Sequence, residues 1–276
     1  MNLSRTFLWR KLREREILAA HKRVARICQT LIDEYMAQPV DFPLTQKMNL
    51  ATDKIIWQYW AQGYDNVPDI IKGCLDSVDK FAGDYHIIRL SEENLDDYLE
   101  LPVFVKEKKS LYSRAFFSDL LRLMLLKTYG GIWMDATIML SGPIPEDYVS
   151  HDFFVFRRDP NEPDFKYWRE TYAYYFGWAK GFKVNMLSSF MVAKKGARTI
   201  TDLCNLMLLW WKDHDTLPDY FFLMILFDVY NCSDSFPLVS DTLPHYLQQY
   251  MNDSRFNLAS KEKILQMVPI HKLTYK

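Results

Sequence analysis

Ile17, Leu18, His21, Val24, Ala25, Cys28, Leu31, Ile32 and Tyr35, apolar apart from the histidine, recur at helical spacing, the pattern of one helix face. Arg13, Arg15, Lys22, Arg23 and Arg26 fill much of the opposite face, so the pattern predicts an amphipathic basic helix that stops before Pro39 and Pro43. The period then changes. Residues 53–60, with Ile55-Ile56-Trp57-Gln58-Tyr59-Trp60, are rich in β-branched and aromatic types and predict a buried strand. Val67-Pro68 opens an amphipathic helix through Ile70, Ile71, Cys74, Leu75, Val78 and Phe81. A strand over 85–90 follows, then an acidic helix from Ser91. Residues 110–129 predict a long helix closed by Gly130-Gly131, and 132–140 a strand interrupted by Asp135. Further strands are expected at 153–157 and 188–193, and helices at 197–212 and 219–231. This alternation predicts the α/β class: one domain over residues 46–276 with a helical extension over 1–45. In an open sheet of that class the binding site lies beyond the strand C-termini.

Composition narrows the class of function. With 276 residues, 49% hydrophobic and 25% charged, the chain is neither disordered nor collagen-like. A net charge of -1 gives the whole molecule no bias toward nucleic acid. Charge is uneven, however: residues 1–26 carry eight Lys/Arg against two Glu, leaving 26 basic and 33 acidic residues elsewhere. The basic helix has two readings. Either it docks on an anionic membrane, with Phe7, Leu8 and Trp9 as wedges, or it packs on its own domain with the cations in solvent. The longest apolar run, Phe221 to Phe227, is well short of the roughly 18 residues of a spanning helix. Charges throughout residues 1–26 leave no signal-peptide core, so the expected location is the cytoplasm, at the inner membrane face if the helix docks. Cys28, Cys74, Cys204 and Cys232 lie far apart and read as reduced, buried thiols. Trp168, Tyr172, Tyr174, Tyr175 and Trp178 form either a sugar-stacking wall or core.

The densest chemical signal is Ser113-Arg114-Ala115-Phe116-Phe117-Ser118-Asp119-Leu120-Leu121-Arg122, continuing to Tyr129-Gly130-Gly131-Ile132-Trp133-Met134-Asp135-Ala136-Thr137. On a helix Ser118, Asp119 and Arg122 share one turn. The glycines allow a sharp entry into the next strand. That strand carries Asp135 to its C-terminal end, where a carboxylate can meet a metal-bound phosphate or a ribose hydroxyl. Walker A, Gly-x-Gly-x-x-Gly, His-Glu-x-x-His and Gly-x-Ser-x-Gly motifs are all missing from the sequence.

The ordered series Trp57, Ser118-Asp119, Arg122, Gly130-Gly131 and Asp135 resembles the sugar-nucleotide-binding region of glycosyltransferase family 32. Residues 50–276 resemble the related capsular polysaccharide synthesis proteins. The resemblance implies a GT-A (Rossmann-like) domain that moves a sugar, with retention, from a nucleoside diphosphate sugar (a UDP-sugar first among them) to an oligosaccharide or lipid-linked acceptor in capsule or surface-polysaccharide assembly. It implies donor-binding roles for Trp57 beside the base and for Ser118, Asp119, Arg122, Asp135, Thr137, His271 and Lys272. Asp135 and Asp219 are its catalytic candidates, although Asp219 equally reads as a helix N-cap. Asp135 and His271 are its candidate ligands for Mn²⁺ or Mg²⁺.

Asp135-Ala136-Thr137 departs from the family's Asp-x-Asp, and a hydroxyl is a weaker ligand than a carboxylate. Two readings follow: a cation held by Asp135 with another side chain, or basic residues that neutralise the diphosphate. His271-Lys272 is either a segment closing over the diphosphate or a frayed tail. The degraded motif also leaves open a non-catalytic sugar-nucleotide-binding or scaffold subunit, and a sugar-phosphate transferase.

Overall fold

The computed structural model describes residues 7–172, 174–230 and 236–275, with residues 7 and 8 in backbone alone. The first helix, α1 (Phe7–Ala37), buries Ile17, His21, Val24, Cys28, Leu31, Ile32 and Tyr35. Of the later helices α4 (Phe165–Thr171), α5 (Arg198–Asp213) and α6 (Phe222–Tyr230), it lies against the last two. Polar bonds fix its rotation: Tyr35 donates to Asp202 at 2.8 Å, and the Lys183 N–H donates to His21 Nδ1 at 3.1 Å. Each buried Val, Leu or Ile on this face contributes about 1.5–3 kcal/mol, and the face belongs to the same core as the sheet. Of the two readings of the helix, packing on its own domain is observed, with Arg15, Lys22, Arg23 and Arg26 in solvent. Trp9 is half-buried and lies 4.6 Å from the Arg13 guanidinium. The Phe7 and Leu8 side chains lie outside the described residues.

The central sheet contains β1 (Ile55–Tyr59), β2 (His86–Leu90), β3 (Gly131–Met134), β5 (Phe153–Arg157) and β6 (Met186–Ala193), in the order β2-β1-β3-β6-β5. β1 is parallel to β2 and β3, whereas β6 runs antiparallel to both β3 and β5. β1 and β6 are buried at every position, which is why they read as continuous apolar runs. Helix α2 (Asp69–Phe81) makes the crossover from β1 to β2, burying Ile71, Cys74, Leu75 and Val78. Helix α3 (Arg114–Tyr129) leads into β3. This is the expected α/β class.

Three local expectations change. The acidic helix from Ser91 is only the turn Leu95–Tyr98. Asn94 Oδ1 accepts the Ser91 N–H and Ser91 Oγ the Glu93 N–H, a side-chain turn that competes with helix. The long helix begins at Arg114, where Ser113 Oγ accepts the Phe116 N–H. The strand expected over 132–140 is two strands, because Asp135 O accepts the Ile138 N–H at 2.8 Å and turns the chain into β4 (Ile138–Leu140).

β4 leaves the sheet and pairs antiparallel with β7 (Ile270–Lys272), Ile138 opposite Lys272 and Leu140 opposite Ile270. The C-terminal segment is thus an ordered strand. Gly130 and Gly131 have φ of 75° and 100°. A Cβ at Gly130 would stand 2.6 Å from the Lys195 nitrogen, and one at Gly131 2.5 Å from the Ile55 carbonyl. Only glycine lets β3 slide this close between its neighbours. Cys28, Cys74 and Cys204 are free buried thiols, with burial pushing Cys28 and Cys204 up to about 12 and Cys74 to about 11. Cys232 lies outside the described residues.

Candidate active site

The C-terminal ends of β1 and β3, the start of β6 and the first turns of α3 meet around a cleft of about 560 Å³. Arg122 organises its floor. Buried at 4% exposure, it donates through Nε to the Ser118 carbonyl at 3.1 Å and through Nη1 to the Ser188 carbonyl at 2.6 Å. Nη2 donates to Ser118 Oγ at 3.2 Å. The same nitrogen lies 3.1 Å from Asp119 Oδ1 and 3.5 Å from Asp135 Oδ1. The guanidinium sits 5.1 Å from the centre of the Trp133 ring. A planar fork with five donors suits this task; a lysine does not.

One cation between two carboxylates separates their chemistry. Burial pushes the Asp119 carboxyl up to about 6, with Arg122 opposing and Asp135 reinforcing the rise. Burial also acts to raise Asp135, but Arg122, Lys272 and the Trp133 N–H together hold it below the ordinary carboxylate range. Trp133 Nε1 donates to Asp135 Oδ1 at 2.8 Å. At neutral pH Asp135 carries a firm negative charge, and Asp119 takes up a proton on mild acidification.

Backbone contacts fix Asp135 itself. Its N–H donates to the Ser189 carbonyl at 2.9 Å, within the expected Ser188-Ser189 stretch of β6. Across the turn, the Leu273 N–H donates to the Thr137 carbonyl at 3.0 Å, which brings in β7. Lys272 Nζ then lies 3.4 Å from Asp135 Oδ2 and hydrogen-bonds Thr137 Oγ1. Six expected residues converge here: Ser118, Asp119, Arg122, Asp135, Thr137 and Lys272 all line the cleft.

Three expected residues do not. Trp57 is fully buried and donates through Nε1 to the Gly130 carbonyl at 2.9 Å, with its ring against Tyr98 and Tyr129. It cannot stack on a base; Tyr59 and Trp60, at the end of the same strand, line the cleft instead. His271 is fully buried, with Nε2 2.8 Å from Ser141 Oγ. Successive strand residues face opposite ways, so the register that sends Lys272 into the cleft turns His271 into the interior. Burial lowers its pKa to about 4, and it is no partner for Asp135 around a metal. Asp219 accepts the Phe221 N–H on Oδ1 at 2.8 Å and the Phe222 N–H on its carbonyl at 3.2 Å. It caps the turn into α6, while Tyr220 and Phe221 reach the cleft.

The aromatic cluster divides. Tyr172 and Tyr175 line the cleft; Trp168 is buried core, Tyr174 is exposed away from the cleft, and Trp178 donates to the Asp159 carbonyl. Arg114, quoted within the Ser113 to Arg122 stretch without a role, also lines the cleft, as do His245, Thr274 and Tyr275; none of the four was among the expected site residues. His245 Nδ1 is 2.9 Å from the Asp241 carbonyl, and burial lowers the ring's pKa to about 3, so a neutral imidazole donates there and keeps Nε2 as an acceptor. Asp241 in turn binds Arg158 through two bonds of 2.9 and 3.0 Å. Among the described residues no group of three or more His, Cys, Asp or Glu is arranged to hold a metal ion. Nor is any described helix long and apolar enough to cross a membrane.

The chain matches the family described as Capsular polysaccharide synthesis protein over residues 7–276. It is 27% identical over 160 residues to the O-glycosyltransferase braB of Annulohypoxylon truncatum, an alignment spanning 53% of this chain and 35% of that protein. The solved structure titled PaToxG Glycosyltransferase is similar at a TM-score of 0.36 and 17% identity, with 91% of this chain and 95% of that one covered.

Proposed function

The chain belongs to the capsular polysaccharide synthesis protein family, and from that premise we propose that its cleft is the active site of a glycosyltransferase using a nucleoside diphosphate sugar. The observation that carries this reading is the convergence of Ser118, Asp119, Arg122, Asp135, Thr137 and Lys272, from three separate stretches of sequence, at the C-terminal end of the parallel strands. Asp135 and Asp119 offer acceptors to ribose or sugar hydroxyls. Arg122 keeps the pair apart, while Lys272 and Arg114 supply positive charge for the diphosphate. Tyr59, Trp60 and Tyr275 provide aromatic surface at one end of the cleft, Trp60 and Tyr275 meeting edge to face at 5.4 Å. Tyr172, Tyr175 and His245 form the acceptor side, where His245 Nε2 receives the acceptor's hydroxyl hydrogen bond.

In the transfer, the acceptor oxygen bonds to the anomeric carbon and the bond from that carbon to the β-phosphate oxygen breaks. The electron pair leaves with the nucleoside diphosphate, which takes the acceptor's proton on the same face if configuration is retained. A lipid-linked surface-polysaccharide acceptor places the reaction at the inner membrane face, and the exposed cations of α1 suit an anionic surface there.

Thermal unfolding with UDP, GDP, CDP and their sugar conjugates tests the reading. One nucleotide is expected to raise the midpoint by several degrees at about 100 times its dissociation constant, and the matching sugar conjugate to release nucleoside diphosphate during turnover. Binding without release would select the scaffold alternative, release of nucleoside monophosphate the sugar-phosphate transferase. No shift with any nucleotide would sink the proposal.

A further inference from the structure

A divalent cation that bridges a protein to a diphosphate needs hard oxygen ligands, and Mg²⁺ holds them at about 2.0–2.1 Å in near-octahedral array. The Asp135-Ala136-Thr137 turn does not fit that demand. Of the Asp135 oxygens, Oδ1 already accepts from Trp133 Nε1 at 2.8 Å and faces Arg122 at 3.5 Å. The second carboxylate of the cleft, Asp119, is held against Arg122 at 3.1 Å. His271, the sequence-level ligand, faces Ser141 in the interior. Of the turn's own side chains, what remains is Asp135 Oδ2 and the Thr137 hydroxyl.

Those two atoms already share a cation. Lys272 Nζ lies 3.4 Å from Asp135 Oδ2 and hydrogen-bonds Thr137 Oγ1, between the first and third residues of the turn. Backbone pairing fixes it there: Lys272 stands opposite Ile138 in the β4–β7 ribbon, and the next N–H bonds the Thr137 carbonyl at 3.0 Å. An ion brought to both oxygens would have to displace this ammonium against like charge. Of the three ammonium N–H donors, two point at Thr137 and Asp135, and the third is available to a ligand in the cleft.

We propose, resting on the glycosyltransferase reading, that Lys272 is the built-in counter-ion of the donor diphosphate and replaces the divalent metal at the Asp-x-Thr turn. As the bond to the anomeric carbon breaks, charge builds on the β-phosphate oxygen, and Lys272 stabilises it through a charge-assisted hydrogen bond without giving up its proton. Thr137 and Lys272 form a matched pair: a second carboxylate at 137 would call for a metal, and a hydroxyl there accommodates an ammonium.

The test uses full-length protein and whichever of UDP, GDP or CDP stabilises the wild type, with affinity measured by calorimetry in EDTA and in Mn²⁺. Wild-type affinity is expected to be equal in the two within about threefold, since loss of even one charged contact would cost tenfold or more. Lys272→Met is expected to weaken binding about 10- to 100-fold in EDTA, and Lys272→Arg to recover much of it. The double variant Thr137→Asp/Lys272→Ala should bind Mn²⁺, seen as loss of the free-ion electron paramagnetic resonance signal, and should bind the nucleotide only in its presence. Far-ultraviolet circular dichroism of each variant separates loss of binding from loss of fold. Wild-type binding that EDTA abolishes would overturn the Lys272 assignment and leave the glycosyltransferase reading intact. No nucleotide binding in either condition would overturn both.

Discussion

At the scale of single residues, burial and one shared cation decide the protonation of the cleft. Asp119 is 7% exposed and its carboxyl is pushed up to about 6, so between pH 4 and 6 the folded protein holds a proton that the unfolded chain has lost. The sign follows: this group's contribution to stability is largest below pH 4 and declines as pH rises through that window. His245 and His271 act in the opposite direction, since burial lowers both and their contribution declines as pH falls below about 6.5. Asp119→Asn isolates the first effect. Denaturant unfolding is expected to show the variant gaining on wild type by about 2–3 kcal/mol between pH 4 and 7, and a gap independent of pH would refute the shifted carboxyl. None of this was legible in Asp119-Leu120-Leu121-Arg122, where spacing alone equally describes a solvated surface pair.

At the scale of elements, periodicity identified α1, α2, α5 and the five strands of the central sheet, but not their directions. Strand register turned Trp57 and His271 inward and Lys272 outward, because side chains alternate across a strand and a sequence does not state which face its partner covers. Helix α1 shows the same limit: an amphipathic basic pattern fits a membrane face and a packed helix alike, and burial of Val24 at 3% and Cys28 at 0% decides for packing. Val24→Asp is therefore expected to unfold the protein, as it places an unpaired charge in the core. Lys22→Glu/Arg23→Glu/Arg26→Glu, on the exposed face, is expected to change stability by no more than about 0.5 kcal/mol per site. If that face meets the membrane, the triple variant also loses sedimentation with phosphatidylserine vesicles, at about 1 kcal/mol per cation. Unchanged sedimentation would remove the membrane role.

At the scale of the whole molecule, the wall of the cleft that carries Tyr172, Tyr175 and His245 is held by a buried ion pair whose two members stand 83 residues apart in sequence. Arg158 binds Asp241 bidentately and also donates to the carbonyls of Tyr175, Gly177 and Val184. It sits 4.7 Å from the ring centres of both Phe176 and Trp178. One guanidinium thereby ties the end of β5 to the loop that carries Tyr175 and to the segment that carries His245. Asp241→Ala strands this charge in the interior and is expected to cost about 3–5 kcal/mol in denaturant unfolding. Arg158→Met/Asp241→Leu is expected to recover a large part of that loss. Equal destabilisation in the single and double variants would mean that packing, not the unpaired charge, carries the effect.

Local pattern was sufficient for the α/β class, for helices such as Asp69–Phe81 and strands such as Ile55–Tyr59, and for a polar cluster around Ser118, Asp119, Arg122 and Asp135. Helical and strand periods are properties of neighbouring residues, and those signals survive in one dimension. Tertiary structure alone decided that Lys272 stands between Asp135 and Thr137, that His271 does not, and that Arg158, Asp241 and His245 support the far wall. Each of those facts depends on pairing across many intervening residues, and on which face of a strand the rest of the chain covers.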